Sequence, residues 1–309
     1  HTRMKQIDSL SRVAHKYAAD PLAFPGALRS FVAGEVLKRR KPVALELFRL
    51  RARLLPRRPI TVKVAGLAFD VLPEGSSAAY YWTRNYFQRR EIEFVLRQLR
   101  PGMTFVDVGA NAGLFTIAAA KVVGPTGHVF AFEPCAESHD LLVRNIALNG
   151  LENVTPFRCA LSDAEGEATL KINSSLFDGL NTLGEATHPS ARVAGEEVVP
   201  LRRMDDTLRE SSAGKVDVIK VDVEGAELPV LRGAAEVLRR DHPVILYEGD
   251  IQTSRGFHYH PVEVMWFLDE FGYEFRFMDK RGALCPVVGS RFRFNQDTIA
   301  LSSNGVRAS

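Results

Sequence analysis

The sequence predicts an α/β protein with a seven-stranded sheet, mostly parallel, ending in an antiparallel pair and preceded by a helical segment and a β-hairpin. Three observations carry this. Apolar strands alternate with helices from residue 104 onward. The first of these strands contains Phe105-Val-Asp-Val108, runs into a tight turn, Gly109-Ala-Asn-Ala-Gly113, and continues as an apolar helix from Leu114 to Val123. The second strand, His128–Phe132, ends at an acid, Glu133, 20 residues beyond that turn. A strand buried on both faces reads as a near-continuous apolar run, which Phe105, Val106 and Val108 supply.

Taken in order, residues 4–19, 25–41 and 43–55 have mixed helical periodicity, broken at Pro21, Pro25, Pro42 and Pro56. Val43, Leu47, Leu50 and Leu54 fall three or four apart and form one apolar stripe. Ile60–Val64 and Leu67–Val71 flank Ala65-Gly66 as a hairpin. A helix from about Asn85 to Arg100 stops at Pro101-Gly102. Strand one follows at 104–108 and strand two at 128–132; a helix at 136–148 ends at Asn149-Gly150, a good C-cap pair, before strand three at 154–160. Residues 163–203 leave the alternation. Glu167–Ile172 and Glu197–Leu201 alternate like strands around a Ser-, Gly- and Asn-rich stretch, an inserted hairpin or lid beside the site. Strand four, Val216–Val221, leads through Asp222-Val-Glu-Gly-Ala-Glu227 into a helix to Arg239. Pro229 lies in its first turn, where a missing N–H costs little. Strand five, Val244–Tyr247, ends at Glu248. A helix at 261–271, a strand at Tyr273–Phe277 and a last strand at Thr298–Leu301 complete the plan. The expected division is a basic helical segment at 1–58, a hairpin and connector at 59–84, and a ligand-binding domain at 85–309.

At 309 residues, 46% hydrophobic and 25% charged, the chain has ordinary globular composition. Its three cysteines, Cys135, Cys159 and Cys285, are scattered, with no C-x-x-C pair to suggest a zinc site or a disulfide framework. With no apolar run of transmembrane length and no signal-peptide core, the expected location is cytoplasmic. The net charge of +3 hides an asymmetry: residues 1–58 hold 14 Lys or Arg against four acids, a net +10, which leaves −7 for the remainder. Such a segment suits an anionic membrane surface, a phosphorylated glycan carrier or nucleic acid, and equally a solvated helical face docked on the acidic remainder.

The turn at 109–113 discriminates between cofactors. A dinucleotide fingerprint needs G-x-G-x-x-G so that backbone can close on a pyrophosphate. Here Asn111 and Leu114 occupy the second and third positions, so the frame fails and NAD is disfavoured. Asn tolerates left-handed backbone, so the turn still forms. S-adenosyl-L-methionine (SAM) has a ribose and no pyrophosphate, and Glu133 is placed to accept hydrogen bonds from both ribose hydroxyls.

Several separated motifs together resemble the FkbM family of SAM-dependent O-methyltransferases. They are Leu99-Arg-Pro-Gly102, Asp107-Val-Gly-Ala-Asn-Ala-Gly113, Gly127-His-Val-Phe-Ala-Phe-Glu-Pro134 and Arg144-Asn-Ile-Ala-Leu-Asn-Gly150. Ala160-Leu-Ser-Asp163, Met204-Asp-Asp-Thr-Leu208, Ile219-Lys-Val-Asp-Val-Glu-Gly-Ala-Glu227 and Leu231-Arg-Gly233 continue the series. The resemblance covers about residues 80–301 and leaves out the first 58. It implies a class I, Rossmann-like methyltransferase sheet and an acceptor hydroxyl on a sugar, a glycan or another natural product. It also implies cofactor contacts. Asp107, Gly109, Asn111 and Gly113 would line the methionine end, Glu133 would take the ribose, and Ser162 and Asp163 would lie near the adenine. Glu91 or Glu93 would reach the methionine ammonium.

Methyl transfer to a hydroxyl needs an acceptor oxygen aligned with the methyl carbon and a group to take its proton. Ligands bind such sheets at the carboxyl ends of the strands. Asp222, Glu224 and Glu227 follow strand four there, and Glu248 and Asp250 follow strand five. Asp222 is the leading candidate for general base or Mg²⁺ ligand and Glu248 the second. Glu224 and Glu227 also suit a helix first turn, where acids stabilise the macrodipole. Lys220 is expected to pair with an acid. His258, Tyr259 and His260 form a further cluster, with His260 a candidate base. Tyr80, Tyr81, Trp82 and Tyr86 suit either stacking on a sugar or an apolar seam. Two other readings remain. A nucleic-acid methyltransferase is prompted by the basic segment and opposed by Asp222-Val-Glu-Gly standing where an N-P-P-Y motif would be. An inactive SAM-binding scaffold is opposed by the intact acidic rim.

Overall fold

The structure, a computed structural model, describes residues 59–64, 66–72, 88–173, 180–187, 191–279, 282–287 and 295–302. All of them fall in one unit, Arg58–Ser309. The basic segment at 1–58 and the aromatic group Tyr80, Tyr81, Trp82 and Tyr86 lie outside the described residues, as do 85–87 at the start of the expected helix.

The hairpin forms as expected, with β1 (Ile60–Val64) antiparallel to β2 (Leu67–Val71). Helix α1 (Arg89–Gln98) precedes β3 (Thr104–Val108), α2 (Leu114–Val123), β4 (His128–Phe132), α3 (Ala136–Leu148) and β5 (Val154–Phe157). An insertion follows: β6 (Ala160–Leu161), β7 (Gly166–Asn173) and β8 (Val193–Arg202), then helix α4 (Met204–Glu210). The sheet resumes with β9 (Val218–Val221), α5 (Glu227–Arg232), α6 (Ala235–Asp241), β10 (Val244–Asp250), α7 (Ile251–Arg255), α8 (Val262–Asp269), β11 (Tyr273–Met278), β12 (Leu284–Pro286) and β13 (Asn295–Ser302).

The main sheet has the order β5-β4-β3-β9-β10-β13-β11-β12. Pairings from β5 to β10 are parallel, and those of β13 with β10 and β11 are antiparallel. Seven of these strands make the expected class I, Rossmann-like arrangement. The eighth, β12, is a three-residue edge strand that sequence reading missed, because it is too short for alternation to show. Strand alternation sends Val106, Val108, Ile219 and Val221 into a core under α5, α6 and α8. Phe105, Val129, Val218 and Leu246 face the opposite way, into a core with α1 and α2. The sheet is therefore covered on both faces, which is why its central strands carry almost no polar residues except at the site.

Several boundaries differ from expectation, and three differences have a local reason. Strand three stops at Phe157, and residues 160–161 join the insertion's own sheet, ordered β6-β8-β7. The helix expected from 227 to 239 is two helices. Gly233 lies so close to the Ser162 carbonyl that an added Cβ would sit 2.0 Å from its oxygen, and the chain turns there. Asp250, expected as a rim acid, is the N-cap of α7. Its carboxylate accepts from Gln252 N at 2.5 Å and Thr253 N at 3.2 Å. Among the described residues no helix is long and apolar enough to cross a membrane.

The hairpin is held to the sheet by two asparagines one helical turn apart on α3. Asn145 Oδ1 accepts from Asp70 N at 2.6 Å, and its Nδ2 donates to Asp70 O at 3.0 Å and to Ala112 O at 2.8 Å. Asn149 pairs in the same way with Ala68, accepting from its N at 3.1 Å and donating to its O at 2.7 Å. The two amides act as a surrogate strand for the edge of β2. Asn145 is fully buried, so replacing it by Ala leaves buried peptide groups without partners, each costing about 1–3 kcal/mol. Asn145→Ala should lower unfolding free energy in urea by about 2–4 kcal/mol; a loss near zero would show that the hairpin is held by apolar contacts alone.

Candidate active site

The turn after β3 lies against the end of β9. Gly109 N and Ala110 N both donate to Phe132 O at 3.0 Å, tying the turn to β4. Gly109, Asn111 and Gly113 all have left-handed backbone, with φ of 77°, 48° and 90°. Asn111 stabilises its own conformation by accepting from Ala112 N at 2.7 Å. At Gly109 a side chain is excluded outright: an added Cβ would sit 1.9 Å from Asp222 O. The glycine turn and the acidic loop are thus in backbone contact.

Glu133, at the tip of β4, is 7% exposed. Its Oε2 accepts from Asn111 N at 2.8 Å and its Oε1 from Cys135 N at 3.0 Å. Burial pushes its pKa up to about 7, against the pull of those two N–H groups and of Lys220. Each carboxylate oxygen retains a further acceptor position, so the pair can receive two adjacent hydroxyls. This donor-free, two-oxygen set beside a glycine turn fits a ribose diol. A small cleft, open to solvent, borders Asn111 and Ala112 and is completed by Leu72, Ser138, Asn173 and Asn181. It brings the hairpin end, the first turn of α3 and the insertion together at the turn.

Asp107 and Lys220 lie beneath. They are register partners on β3 and β9, so their side chains share a face. Asp107 is fully buried; Oδ2 accepts from Thr116 Oγ1 at 2.6 Å, and Oδ1 faces Lys220 Nζ at 3.3 Å with no hydrogen-bond partner among the described residues. Lys220 Nζ also donates to Gly109 O at 2.8 Å and lies 3.6 Å from Asp222 Oδ2. Burial alone would lower the lysine's pKa, but Asp107 and Asp222 outweigh it and the net direction is upward. Lys220 pairs with acids as expected.

Asp222 and Glu248 stand one step beyond the last registered pair of β9 and β10, Val221 with Tyr247. Carboxylate oxygens of Asp222, Glu224 and Glu248 lie within 4.8 Å of one another, all partly exposed. Glu224 has left-handed backbone (φ 52°), and its pKa is driven up to about 9 by burial and by Asp222, Glu227 and Asp250. Glu227 is buried and turned inward. Its Oε1 accepts from Gly225 N at 3.2 Å and Oε2 meets Tyr259 OH at 3.0 Å, while burial raises its pKa to about 7. It braces the loop from within. The insertion crosses the same loop at Thr182, whose Oγ1 donates to Glu224 O at 3.0 Å, and it meets α7 through Glu185 N, which donates to Gly256 O at 3.1 Å, and Thr187 Oγ1, which donates to Gln252 O.

The remaining candidates separate. Of the two acids on α1, Glu91 is buried, whereas Glu93 is half-buried and paired with Arg97 one turn on. Ser162 N donates to Arg202 O and its hydroxyl to Asp163 Oδ1; the two residues directly follow β6, with the Ser162 carbonyl against Gly233. His260 is exposed and serves the start of α8. Its Nδ1 accepts from Val262 N at 3.2 Å, and its own N–H donates to Glu263 Oε1 at 2.9 Å. Its neighbour Tyr259 is the member of that cluster that reaches the acidic loop. Sequence reading missed Gln88, whose Nε2 donates to Asp222 Oδ2 at 3.1 Å.

The sequence matches the profile of the family described as the methyltransferase FkbM domain over residues 107–280. It is similar to methyltransferase sdnD of Sordaria araneosa, 35% identical over 42% of this chain and 60% of that one. It also resembles hexuronic acid methyltransferase AglP of Haloferax volcanii (28% identity, 50% of this chain, 59% of that one) and 2-O-methyltransferase NoeI of Sinorhizobium fredii (26% identity, 49% and 68%). The match to sdnD and to AglP thus spans about 60% of their length.

Removing one member of a buried ion pair strands the other, at about 3–5 kcal/mol. Lys220→Met should therefore lower stability in urea by about that amount, and the double variant Asp107→Asn/Lys220→Met should recover part of the loss. Equal stability of Lys220→Met and wild type would contradict the pairing.

Proposed function

The chain belongs to the FkbM methyltransferase family, and on that premise we propose that it transfers a methyl group from SAM to a hydroxyl of a sugar, glycan or natural-product acceptor. The observation that carries this reading is the contact between Gly109 and Asp222: the turn suited to the cofactor and a partly exposed acid of the rim touch through their backbones. A cofactor seated on the first has its reacting end within reach of the second.

When bound, SAM would supply an electrophilic methyl carbon on a positively charged sulfur that leaves with the C–S electron pair as the acceptor oxygen takes the methyl. The residues of this chain have three tasks in that exchange. Glu133 holds the ribose through two charge-assisted hydrogen bonds. The turn at Gly109–Gly113 leaves room for the methionine portion, with Glu91 the acid nearest in kind to receive its ammonium. Asp222 accepts the hydroxyl proton as the oxygen attacks. The neighbouring Glu248 favours a cationic cofactor electrostatically, with Glu224 beside it. Both residues also form with Asp222 an oxygen-only set of the type that holds Mg²⁺. The relatives support the acceptor class, since AglP is named for a hexuronic acid and NoeI for 2-O-methylation.

Transfer of radiolabelled methyl from SAM to a panel of p-nitrophenyl glycosides tests the reading. Wild-type protein should label a glycoside at its hydroxyls, and Asp222→Asn should lose at least about 100-fold in turnover with SAM affinity unchanged. Full turnover by Asp222→Asn would remove Asp222 as the base. EDTA treatment of the same reaction separates the two roles of the rim: activity that survives assigns Asp222 to proton transfer, and activity that disappears and returns with Mg²⁺ assigns the rim to the metal.

A further inference from the structure

Gln88 begins α1 in a way that the helix itself does not explain. It occupies the N-cap with left-handed backbone, φ 55° and ψ 29°. Its carbonyl accepts the first helical bond, from Ile92 N at 2.9 Å. Its side chain makes no capping bond. N-caps are usually Ser, Thr, Asp or Asn, whose short side chains reach an exposed helical N–H. Left-handed backbone favours Gly and Asn. Glutamine offers neither advantage. The backbone outlier carries a local cost with no local return, and such outliers point to a role beyond the helix.

What the conformation achieves is a contact 134 residues away in sequence. Gln88 Nε2 donates to Asp222 Oδ2 at 3.1 Å. Lys220 Nζ approaches the same oxygen, at 3.6 Å. Both contacts fall on Oδ2; Oδ1 receives none from the described residues, and the Asp222 side chain is 24% exposed. A carboxylate is free to rotate and exchange its two oxygens unless one of them is held. The hydrogen bond from Gln88 and the ion-pair contact from Lys220, arriving from different elements, both favour the same oxygen. The held oxygen is Oδ2, and Oδ1 is the one left clear of these contacts. Because Lys220 also donates to Gly109 O, the carboxylate keeps a fixed bearing relative to the glycine turn.

We propose that Gln88 is a positioning residue that locks Asp222 with Oδ1 turned toward the acceptor. The proposal rests on the assignment of Asp222 as the base. Gln88 touches neither cofactor nor acceptor in this account; it acts through the carboxylate, as alignment of the reacting groups requires.

The Gln88→Asn variant separates the side chain's reach from its backbone role. Asparagine suits left-handed backbone and helix N-caps better than glutamine, but it is one methylene too short to reach Asp222. Crystal structures of the wild type and of this variant read the lock without an acceptor. Wild type should show one Asp222 rotamer with Oδ2 on Gln88. In Gln88→Asn, Asp222 should be rotated or split between two orientations, while α1 still begins at the same residue. An Asp222 unchanged in the variant overturns the proposal. Turnover of p-nitrophenyl glycosides gives a second reading: kcat should fall by about tenfold or more in both Gln88→Asn and Gln88→Ala, with the Kd for SAM within twofold and the Tm of Gln88→Asn at or above that of the wild type. If Gln88 served only the helix, Gln88→Asn would melt at or above the wild-type temperature with full kcat, which also overturns it. Full turnover by Asp222→Asn would instead remove the underlying base assignment, a distinct result.

Discussion

Lys220 places an ammonium group under the carboxyl edge of the sheet, in contact with three groups whose relative positions define the site: Gly109 O at 2.8 Å, Asp107 at 3.3 Å and Asp222 at 3.6 Å. Burying an ammonium costs several kcal/mol unless opposite charge and hydrogen-bond acceptors compensate it. Here two carboxylates and a peptide oxygen do so, and the same contacts fasten the glycine turn to the acidic loop. The polar interruption in an otherwise apolar pair of central strands is therefore where two functional segments are joined. Its position follows from register, since Asp107 and Lys220 are paired on adjacent parallel strands, and from alternation, since Lys220 and Asp222 are two residues apart and share a face.

Around this junction the fold adds cover from outside the sheet. The hairpin reaches the turn through Asn145, which bonds both Asp70 and Ala112 O. The insertion reaches the acidic loop through Thr182 and the end of α7 through Glu185. The site is thus assembled from a rigid parallel core, which holds charge in place, and two appended pieces, which border the cleft beside Asn111.

The central strands were legible because burial on both faces leaves nearly pure apolar runs, and the turn was legible because glycine and asparagine are the residues that left-handed backbone selects. The acid at the tip of β4 was legible from spacing. Side-chain partners across long sequence separations were not. Asp250 and His260 are residue types that serve catalysis and helix starts alike, and only the hydrogen bonds to Gln252 and Thr253, and to Val262, identify them as helix-start groups. Ser162 follows strand three in sequence, but a break at 158–159 leaves it directly after a strand of a separate sheet. Gln88 had no signal at all: a glutamine before a helix is unremarked until its backbone angle and its contact with Asp222 are seen.

The central claim is that the turn and Glu133 form a SAM site, and calorimetry with purified protein tests it most directly. SAM should bind the wild type with micromolar affinity, NAD should not bind, and Glu133→Ala should weaken SAM by at least about tenfold through loss of two charge-assisted hydrogen bonds. Absence of SAM binding to the wild type, or equal affinity in Glu133→Ala, would contradict the account.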